Sequence, residues 1–203
     1  MRLLNDATSP FGRKVMMAAL SRQIDVTEQF VDLAQLEQIL PFNPLGQIPV
    51  LVLPDGTSLY DSQTIMIHLD ECHGGPRLLP ADRRAEVLTT ASLCDGMMEA
   101  TLLRLLETRR PAQQQSVDLI AKLEQRIRRA MTALEARVLS PSAAEALLAS
   151  DIAAIAALGY CDFRFTKEWR SYCPGLSTWY AAQAERALAS ATAPTRKSPA
   201  SLR

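Results

Sequence analysis

The sequence lacks an excess of charge of either sign. Its 22 Lys and Arg residues balance 22 Asp and Glu residues, so the formal net charge is zero. A surface that binds nucleic acid needs a strong basic excess, and we therefore expect no nucleic-acid partner. The charge is uneven along the chain, because residues 1–80 hold 5 basic and 9 acidic residues and residues 81–203 hold 17 and 13. This asymmetry predicts two halves with different roles.

Long apolar runs are also absent. No stretch approaches the roughly 20 apolar residues that a membrane-spanning helix needs, so we expect no membrane partner. Charged Arg2 and Asp6 lie at the N-terminus without the apolar run that marks a secretory signal. The 4 cysteines include no Cys-x-x-Cys pair. Since a chain of 203 residues can fold without disulfides, we expect free thiols and a cytoplasmic location.

The common signatures of nucleotide, zinc-protease and serine-hydrolase sites are missing. The sequence contains no Gly-x-x-x-x-Gly-Lys, Gly-x-Gly-x-x-Gly, His-Glu-x-x-His or Gly-x-Ser-x-Gly pattern. His68 and Cys72 stand one helical turn apart on a predicted helix, which is half of a metal site. Two ligands without a second pair do not hold a metal, so we expect no metal cofactor.

The first part of the chain alternates short apolar runs with helical patterns. A helix start is predicted at Pro10, because Thr8 and Ser9 supply capping hydroxyls and proline suits the first helical position. Asp55-Gly56 predicts a hairpin turn, and three prolines within residues 41–49 predict an irregular loop. The predicted strands are 2–5, 26–31, 50–53 and 58–60, and the predicted helices are 10–21, 33–40 (weak) and 63–72.

After residue 72 the sequence has almost no strand signal. Glycine and proline between residues 74 and 80 predict a break in the chain. Helical patterns follow at about 83–110, 116–139 and 152–158 and again after Pro174. We therefore predict an α/β domain at 1–76, a linker at 77–85, an all-helical domain at 86–191 and a flexible tail at 192–203.

Two predicted helix starts carry residues with possible chemistry. Thr8 and Ser9 precede the first, where the partial positive charge of the helix and a hydroxyl would lower the pKa of a thiol. Asp61 and Ser62 begin another, where free N–H groups and a hydroxyl suit a carboxylate and the Asp suits an ammonium group. Simple helix capping is the alternative at both places.

The third candidate is Ile48-Pro49, which follows the proline-rich loop. A cis bond here would turn the backbone groups of Ile48 outward, where an extended peptide could pair with them. The alternative is an ordinary proline on an edge strand. Together the three candidates would bind a thiol, an extended peptide and an α-amino acid group. Glutathione contains all three, because it has a cysteine thiol, an extended backbone and a free amino-acid end.

The sequence resembles the glutathione S-transferase family. Three segments resemble its thioredoxin-like domain: TSPFGRKV at 8–15, NPLGQIPVL at 43–51 and LYDSQTI at 59–65. In the second half, CDGMMEA at 94–100 and GYCDFRF at 159–165 resemble a bacterial subgroup. The resemblance spans roughly residues 1–194 and implies a thioredoxin-like N-terminal domain followed by an all-helical transferase domain.

The resemblance also implies roles for the candidate residues. Pro49 matches the family's cis-proline, and Ile48 matches the residue whose backbone pairs with the cysteinyl part of glutathione. Asp61 and Ser62 match the acidic-Ser pair that holds the γ-glutamyl group. All four are therefore expected to bind glutathione.

The residue that contacts the glutathione sulfur is open between two hydroxyls. Some classes place it at the position of Thr8 and others at that of Ser9, and Ser9 is favoured because it lies closer to the helix N-terminus. Neither position holds a cysteine, which favours a hydroxyl that stabilises a thiolate over thiol-disulfide chemistry. Phe11 and Gln35 complete the implied glutathione contacts.

The activity implied by the resemblance is glutathione transfer in detoxification, with glutathione as co-substrate and a small hydrophobic electrophile, in a homodimer. A non-catalytic binding or regulatory protein is one alternative, and another glutathione-dependent enzyme (isomerase, dehalogenase or ether-cleaving enzyme) is a second. Met97, Met98, Leu102 and Leu105 are candidates to line the electrophile site, with core packing as the alternative.

Two positions depart from the family pattern. Leu148 stands where Ser or Thr usually caps a helix whose third residue is Asp151, and Ser150 is a possible substitute cap. His68 stands where an aromatic Tyr is common. Neither departure removes an implied glutathione contact.

Overall fold

The computed structural model describes residues 1–72, 74–137 and 146–194. His73, residues 138–139 at the predicted end of one long helix, and residues 195–203 of the predicted tail lie outside the described residues.

The N-terminal part is a mixed four-stranded sheet with two helices. Its elements are β1 (Arg2–Asn5), α1 (Pro10–Ser21), β2 (Thr27–Phe30), β3 (Val50–Val52), β4 (Ser58–Leu59) and α2 (Ser62–Glu71). The strand order is β2-β1-β3-β4, with β1 parallel to β2 and antiparallel to β3. Leu3 pairs with Glu28 on one side and Leu51 on the other, so β1 is an interior strand of the sheet. These elements confirm the predicted α/β order.

One predicted helix is wrong. Residues 33–40 contain only a short 3₁₀ turn at Leu36–Gln38. The leucines that produced the helical spacing are exposed, with Leu33 at 50% and Leu40 at 47%. A short amphipathic helix is stable only when its apolar face is buried, and here no second layer covers that face.

The C-terminal part is all-helical. It consists of α3 (Arg84–Thr108), α4 (Val117–Glu135), α5 (Ala149–Arg164), α6 (Trp169–Tyr172), α7 (Pro174–Ala184) and α8 (Ala187–Ala191). Every residue from Ala149 to Cys161 is buried, because α5 is the central helix against which α1 and α3 pack. An α/β part followed by a helical part confirms the predicted fold class.

Helix α5 begins without a hydroxyl cap. Leu148 is the N-cap residue, and its backbone N–H donates to the Asp151 carboxylate over 2.9 Å. This is one half of a capping box. Ser150 lies inside the helix and is buried, so the expectation that it replaces the missing cap is wrong. The predicted helix at 152–158 was also too short.

A buried carboxylate fixes the connection between the two parts. Asp70, near the end of α2, is fully buried and accepts hydrogen bonds from the backbone N–H groups of Leu78 (2.5 Å) and Leu79 (3.2 Å). The guanidinium of Arg77 donates to the second oxygen over 2.9–3.0 Å. The loop that leads to α3 is therefore tied back to the sheet domain.

We expect Asp70→Asn to lower the free energy of unfolding by about 2–3 kcal/mol, because an NH2 group replaces one of the two acceptor oxygens and faces either the Arg77 guanidinium or the buried backbone N–H groups. Urea unfolding measures the change. Arg77→Gln is the control, and we expect it to cost less than about 1 kcal/mol because Arg77 is largely exposed. Equal losses in the two variants would contradict this explanation.

Buried cations on α1 join the two parts. The Arg13 guanidinium donates to the carbonyl oxygens of Ile155 (3.4 Å) and Ala189 (3.1 Å). The fully buried Lys14 ammonium contacts both oxygens of Asp95 on α3, at 2.6 and 2.8 Å. Among the described residues, no helix is both long and apolar enough to cross a membrane.

Candidate functional site

A cleft of about 740 Å³ lies between the sheet domain and the helices. The sheet domain contributes the start of α1, the proline-rich loop and the start of α2. The helical wall is formed by residues of α3, α4 and α5, which are Ser92, Asp95, Gly96, Glu99, Leu102, Leu103, Arg126 and Tyr160.

The cleft brings together most of the residues that the sequence proposed for glutathione. Those that line it are Thr8, Ser9, Phe11, Ile48, Pro49, Asp61 and Ser62. Gln35 is not among the lining residues. Its side-chain amide is exposed and donates to the Asp32 carboxylate over 3.2 Å, which stabilises the short turn that follows.

The two candidate hydroxyls differ in their hydrogen bonds. Thr8 Oγ1 donates its proton to the Asp6 carboxylate over 2.6 Å. Ser9 Oγ instead accepts from the Gly12 N–H over 3.2 Å as the N-cap of α1. A hydroxyl that accepts a hydrogen bond keeps its own O–H proton free, so Ser9 can donate into the cleft. The Thr8 proton is already donated to Asp6. This geometry favours Ser9 as the group that contacts a sulfur.

Gly12 allows the start of α1 to lie close to β1. A Cβ atom at this position would overlap the Asn5 side chain at the end of β1. Because the helix starts so close to the end of β1, the Ser9 hydroxyl is held beside the sheet and lines the cleft.

The proline-rich loop is shaped by Asn43. Its side chain donates to the Gln47 carbonyl (2.8 Å) and accepts from the Leu45 N–H (3.0 Å), and Gly46 adopts a φ of 62°, which favours glycine. The Ile48-Pro49 peptide bond is cis, as the resemblance implied. Within the described ranges, the backbone N–H and carbonyl of Ile48 have no hydrogen-bond partner. They are available to an extended ligand.

Helix α2 begins at the other end of the cleft. Asp61 is its N-cap and accepts from the backbone N–H groups of Gln63 (3.0 Å) and Thr64 (3.2 Å). Ser62 is the first helical residue and is buried. An exposed carboxylate therefore stands beside a helix N-terminus, which suits a ligand with both an ammonium and a carboxylate group.

Opposite this helix start lies the Asp95 carboxylate. Burial raises its pKa above the ordinary value, the Lys14 ammonium opposes that shift, and the nearby Asp61 carboxylate adds to it. Asp95 is paired with the Lys14 ammonium, so Asp61 is the carboxylate at this end of the cleft that has no cation partner in the described residues.

Several cleft residues had no assigned role in the sequence. They include the ion pair between Arg126 and Glu99 (3.0 Å) and the phenol of Tyr160. Of the candidate electrophile contacts, only Leu102 lines the cleft, while Met97 and Met98 are core residues. Helical periodicity could not distinguish the cleft-lining residues of α3 from its core residues, since a helix between a core and a cleft is apolar on both faces.

Metal ligation finds no support in the described part of the chain. There, no group of three or more His, Cys, Asp or Glu residues is placed to hold an ion. His68 Nε2 lies 3.6 Å from Cys72 Sγ, so the pair identified in the sequence is a contact within one helix.

A mixed sheet with a cis-proline, joined to a helical part across a cleft, defines a two-part protein of the thioredoxin-like class. Residues 8–72 match the family model described as glutathione S-transferase, N-terminal domain. The uncharacterised GST-like protein YibF of Escherichia coli (strain K12) is 32% identical over 170 residues, which cover 81% of this chain and 83% of the relative.

Two solved structures are similar over almost the whole chain. A glutathione S-transferase from Methylobacillus flagellatus KT with GSH bound is 36% identical, covers 96% of this chain and 99% of its own, and superposes with a TM-score of 0.88. A glutathione transferase family member from Pseudomonas fluorescens Pf-5 with bound glutathione is 34% identical, covers 96% and 98%, and has a TM-score of 0.89. The chain therefore belongs to the glutathione S-transferase family.

Proposed function

We propose that this chain binds glutathione in the cleft and activates its thiolate for attack on a small hydrophobic electrophile. The observation that carries the proposal is that Ser9, Ile48 and Asp61 line one cleft. They come from three separate segments, and each suits a different part of the tripeptide.

The γ-glutamyl group suits the start of α2. The Asp61 carboxylate would bind its ammonium group, and the Ser62 N–H and hydroxyl would bind its carboxylate. The free backbone groups of Ile48 would pair with the cysteinyl residue in the manner of an added strand. Both similar transferases from M. flagellatus and P. fluorescens hold the tripeptide, which supports this assignment.

The sulfur would then lie at the N-terminus of α1. The Ser9 O–H donates to the thiolate, and the partial positive charge of the helix stabilises it further. Lowering the thiol pKa from about 8.5 towards about 7 requires about 2 kcal/mol, which one charge-assisted hydrogen bond and a helix N-terminus supply together. The thiolate would attack an electrophile that rests against Leu102 and Phe11.

Isothermal titration calorimetry with glutathione tests the binding step. We expect saturable heat, and weaker binding of ophthalmic acid, which carries a methyl group in place of the thiol, because it cannot supply the thiolate that Ser9 and α1 stabilise. The absence of saturable heat with folded protein would overturn the proposed function. A homodimer remains a prediction from the family.

A further inference from the structure

Arg126 on α4 is a positive charge in a cleft that is otherwise acidic. Among the described residues that line the cleft it is the only Lys or Arg, although several carboxylates line it too. Its Nη2 atom lies 3.0 Å from Oε2 of Glu99, and a Cβ atom at Gly96 would lie 3.2 Å from the same nitrogen. The guanidinium is therefore held against the cleft-lining face of α3, between Gly96 and Glu99.

Gly96 makes room for the guanidinium on α3. Glycine inside a helix lowers stability relative to alanine, and Gly96 lies in the middle of this 25-residue helix. Its missing side chain leaves space at the surface of the cleft, and Nη2 of Arg126 lies over that space. The position of the cation thus depends on the backbone of α3 as well as on Glu99.

The ion pair with Glu99 leaves most of the guanidinium available. A guanidinium carries five N–H donors in a planar fork that matches a carboxylate. Within the described ranges, no protein group other than Glu99 accepts from Arg126. The side chains are 46% (Arg126) and 57% (Glu99) exposed, and such pairs contribute little to stability. A second carboxylate can therefore bind the fork beside Glu99 or in its place.

Arg126 lies next to the surface proposed for the electrophile. Glu99, Leu102 and Leu103 share the cleft-lining face of α3, since residues three and four apart lie side by side on a helix. Along the helix axis, Glu99 and Leu102 are about 4.5 Å apart. An electrophile whose apolar body rests against Leu102 therefore reaches the guanidinium with a group at its far end.

We propose that Arg126 binds a carboxylate of the electrophile, so that the preferred substrates carry a carboxylate as well as an apolar body. This inference rests on the proposed function and names the substrate class of the same cleft. In the proposed binding mode glutathione lies along the sheet domain, where the start of α2 binds its γ-glutamyl carboxylate. Arg126 belongs to the helical wall, which faces the second substrate.

Two benzylic chlorides test the substrate class. In both, the thiolate electron pair forms a C–S bond at the benzylic carbon, while the C–Cl bond breaks and chloride leaves with its electron pair. 4-(Chloromethyl)benzoate carries a carboxylate, and 4-(chloromethyl)benzamide has nearly the same shape without the charge. We expect the parent protein to prefer the benzoate about tenfold in kcat/KM, after subtraction of the rate without protein, because a hydrogen bond between charged groups is stronger than a neutral one.

Arg126→Gln and Glu99→Gln are expected to act in opposite directions. Arg126→Gln should lower kcat/KM for the benzoate about 5- to 20-fold, chiefly through KM, and change that for the benzamide by less than about twofold. Glu99→Gln removes the competing carboxylate and should lower KM for the benzoate about two- to fivefold. Arg128→Gln is the matched control, since this arginine of α4 lies over the Tyr172 ring, outside the residues that line the cleft, and we expect both rates to be unchanged.

A parent protein that converts the two chlorides equally well would overturn the substrate class, and so would equal losses of Arg126→Gln with both. A higher KM for the benzoate in Glu99→Gln as well as in Arg126→Gln would show that the ion pair itself is required, and it would overturn the carboxylate site.

Calorimetry with glutathione separates this inference from the proposed function. We expect Arg126→Gln to bind glutathione as the parent does. An affinity that falls more than about threefold would assign the guanidinium to the glycyl carboxylate of glutathione, and it would overturn the inference but not the proposed function. A parent protein that binds no glutathione would overturn the proposed function, and with it this inference.

Discussion

Replacing Ser9 with Ala is expected to lower kcat/KM about 10- to 100-fold at neutral pH while glutathione affinity changes by less than about threefold. The Ser9 hydroxyl is the free donor at the N-terminus of α1, and a hydrogen bond to a charged group contributes about 1.5–3 kcal/mol, or one to two factors of ten. The pKa of the bound thiol should rise towards the free value of about 8.5. The pH dependence of the rate, or the ultraviolet absorbance of the bound thiolate, measures that pKa.

Ser9 is also a helix cap, and its loss costs about 1 kcal/mol of stability in addition. Ser9→Gly separates the two effects, because glycine caps almost as well as serine but has no hydroxyl. We expect Gly and Ala variants to lose the same activity. Thr8→Val tests the other hydroxyl, and we expect it to leave the thiol pKa unchanged because Thr8 already donates to Asp6. A larger rise of the thiol pKa in Thr8→Val than in Ser9→Ala would assign the role to Thr8.

The two helix starts that line the cleft could be predicted from the sequence, because local sequence signals determine where a helix begins. Ser9 and Pro10 place the first residue of α1, and Asp61 places that of α2, since capping depends on residues that are adjacent in the chain. The positions that lie at these helix starts are therefore those where sequence and structure agree.

The helical wall could not be predicted in the same way. Lys14 and Asp95 are 81 residues apart, and no spacing rule connects them. Residues 149–161 are buried all round and rich in alanine, so no amphipathic period marks the ends of α5. Conversely, Leu33 and Leu40 have helical spacing without a surface to cover them. Whether an apolar face is buried depends on tertiary packing, which local pattern does not contain.

The charge of Asp61 is expected to account for much of the affinity for glutathione. Asp61→Asn should weaken glutathione binding about 10- to 100-fold, because the amide carries no negative charge and cannot form an ion pair with the γ-glutamyl ammonium group. Asn caps helices as well as Asp does, so α2 should begin at the same residue and the stability should change by only a few tenths of a kcal/mol. Calorimetry with glutathione and urea unfolding measure the two quantities.

The ligand itself supplies the matched control for this prediction. Deamino-glutathione lacks the ammonium group, so the parent protein should bind it weakly and Asp61→Asn should bind it no more weakly than the parent does. The two losses of binding free energy, one from removing the charge on the protein and one from removing it on the ligand, are then expected not to add. This is the behaviour of two groups in direct contact. Losses that add fully would show that the γ-glutamyl ammonium group lies elsewhere, at another carboxylate that lines the cleft, such as Asp95.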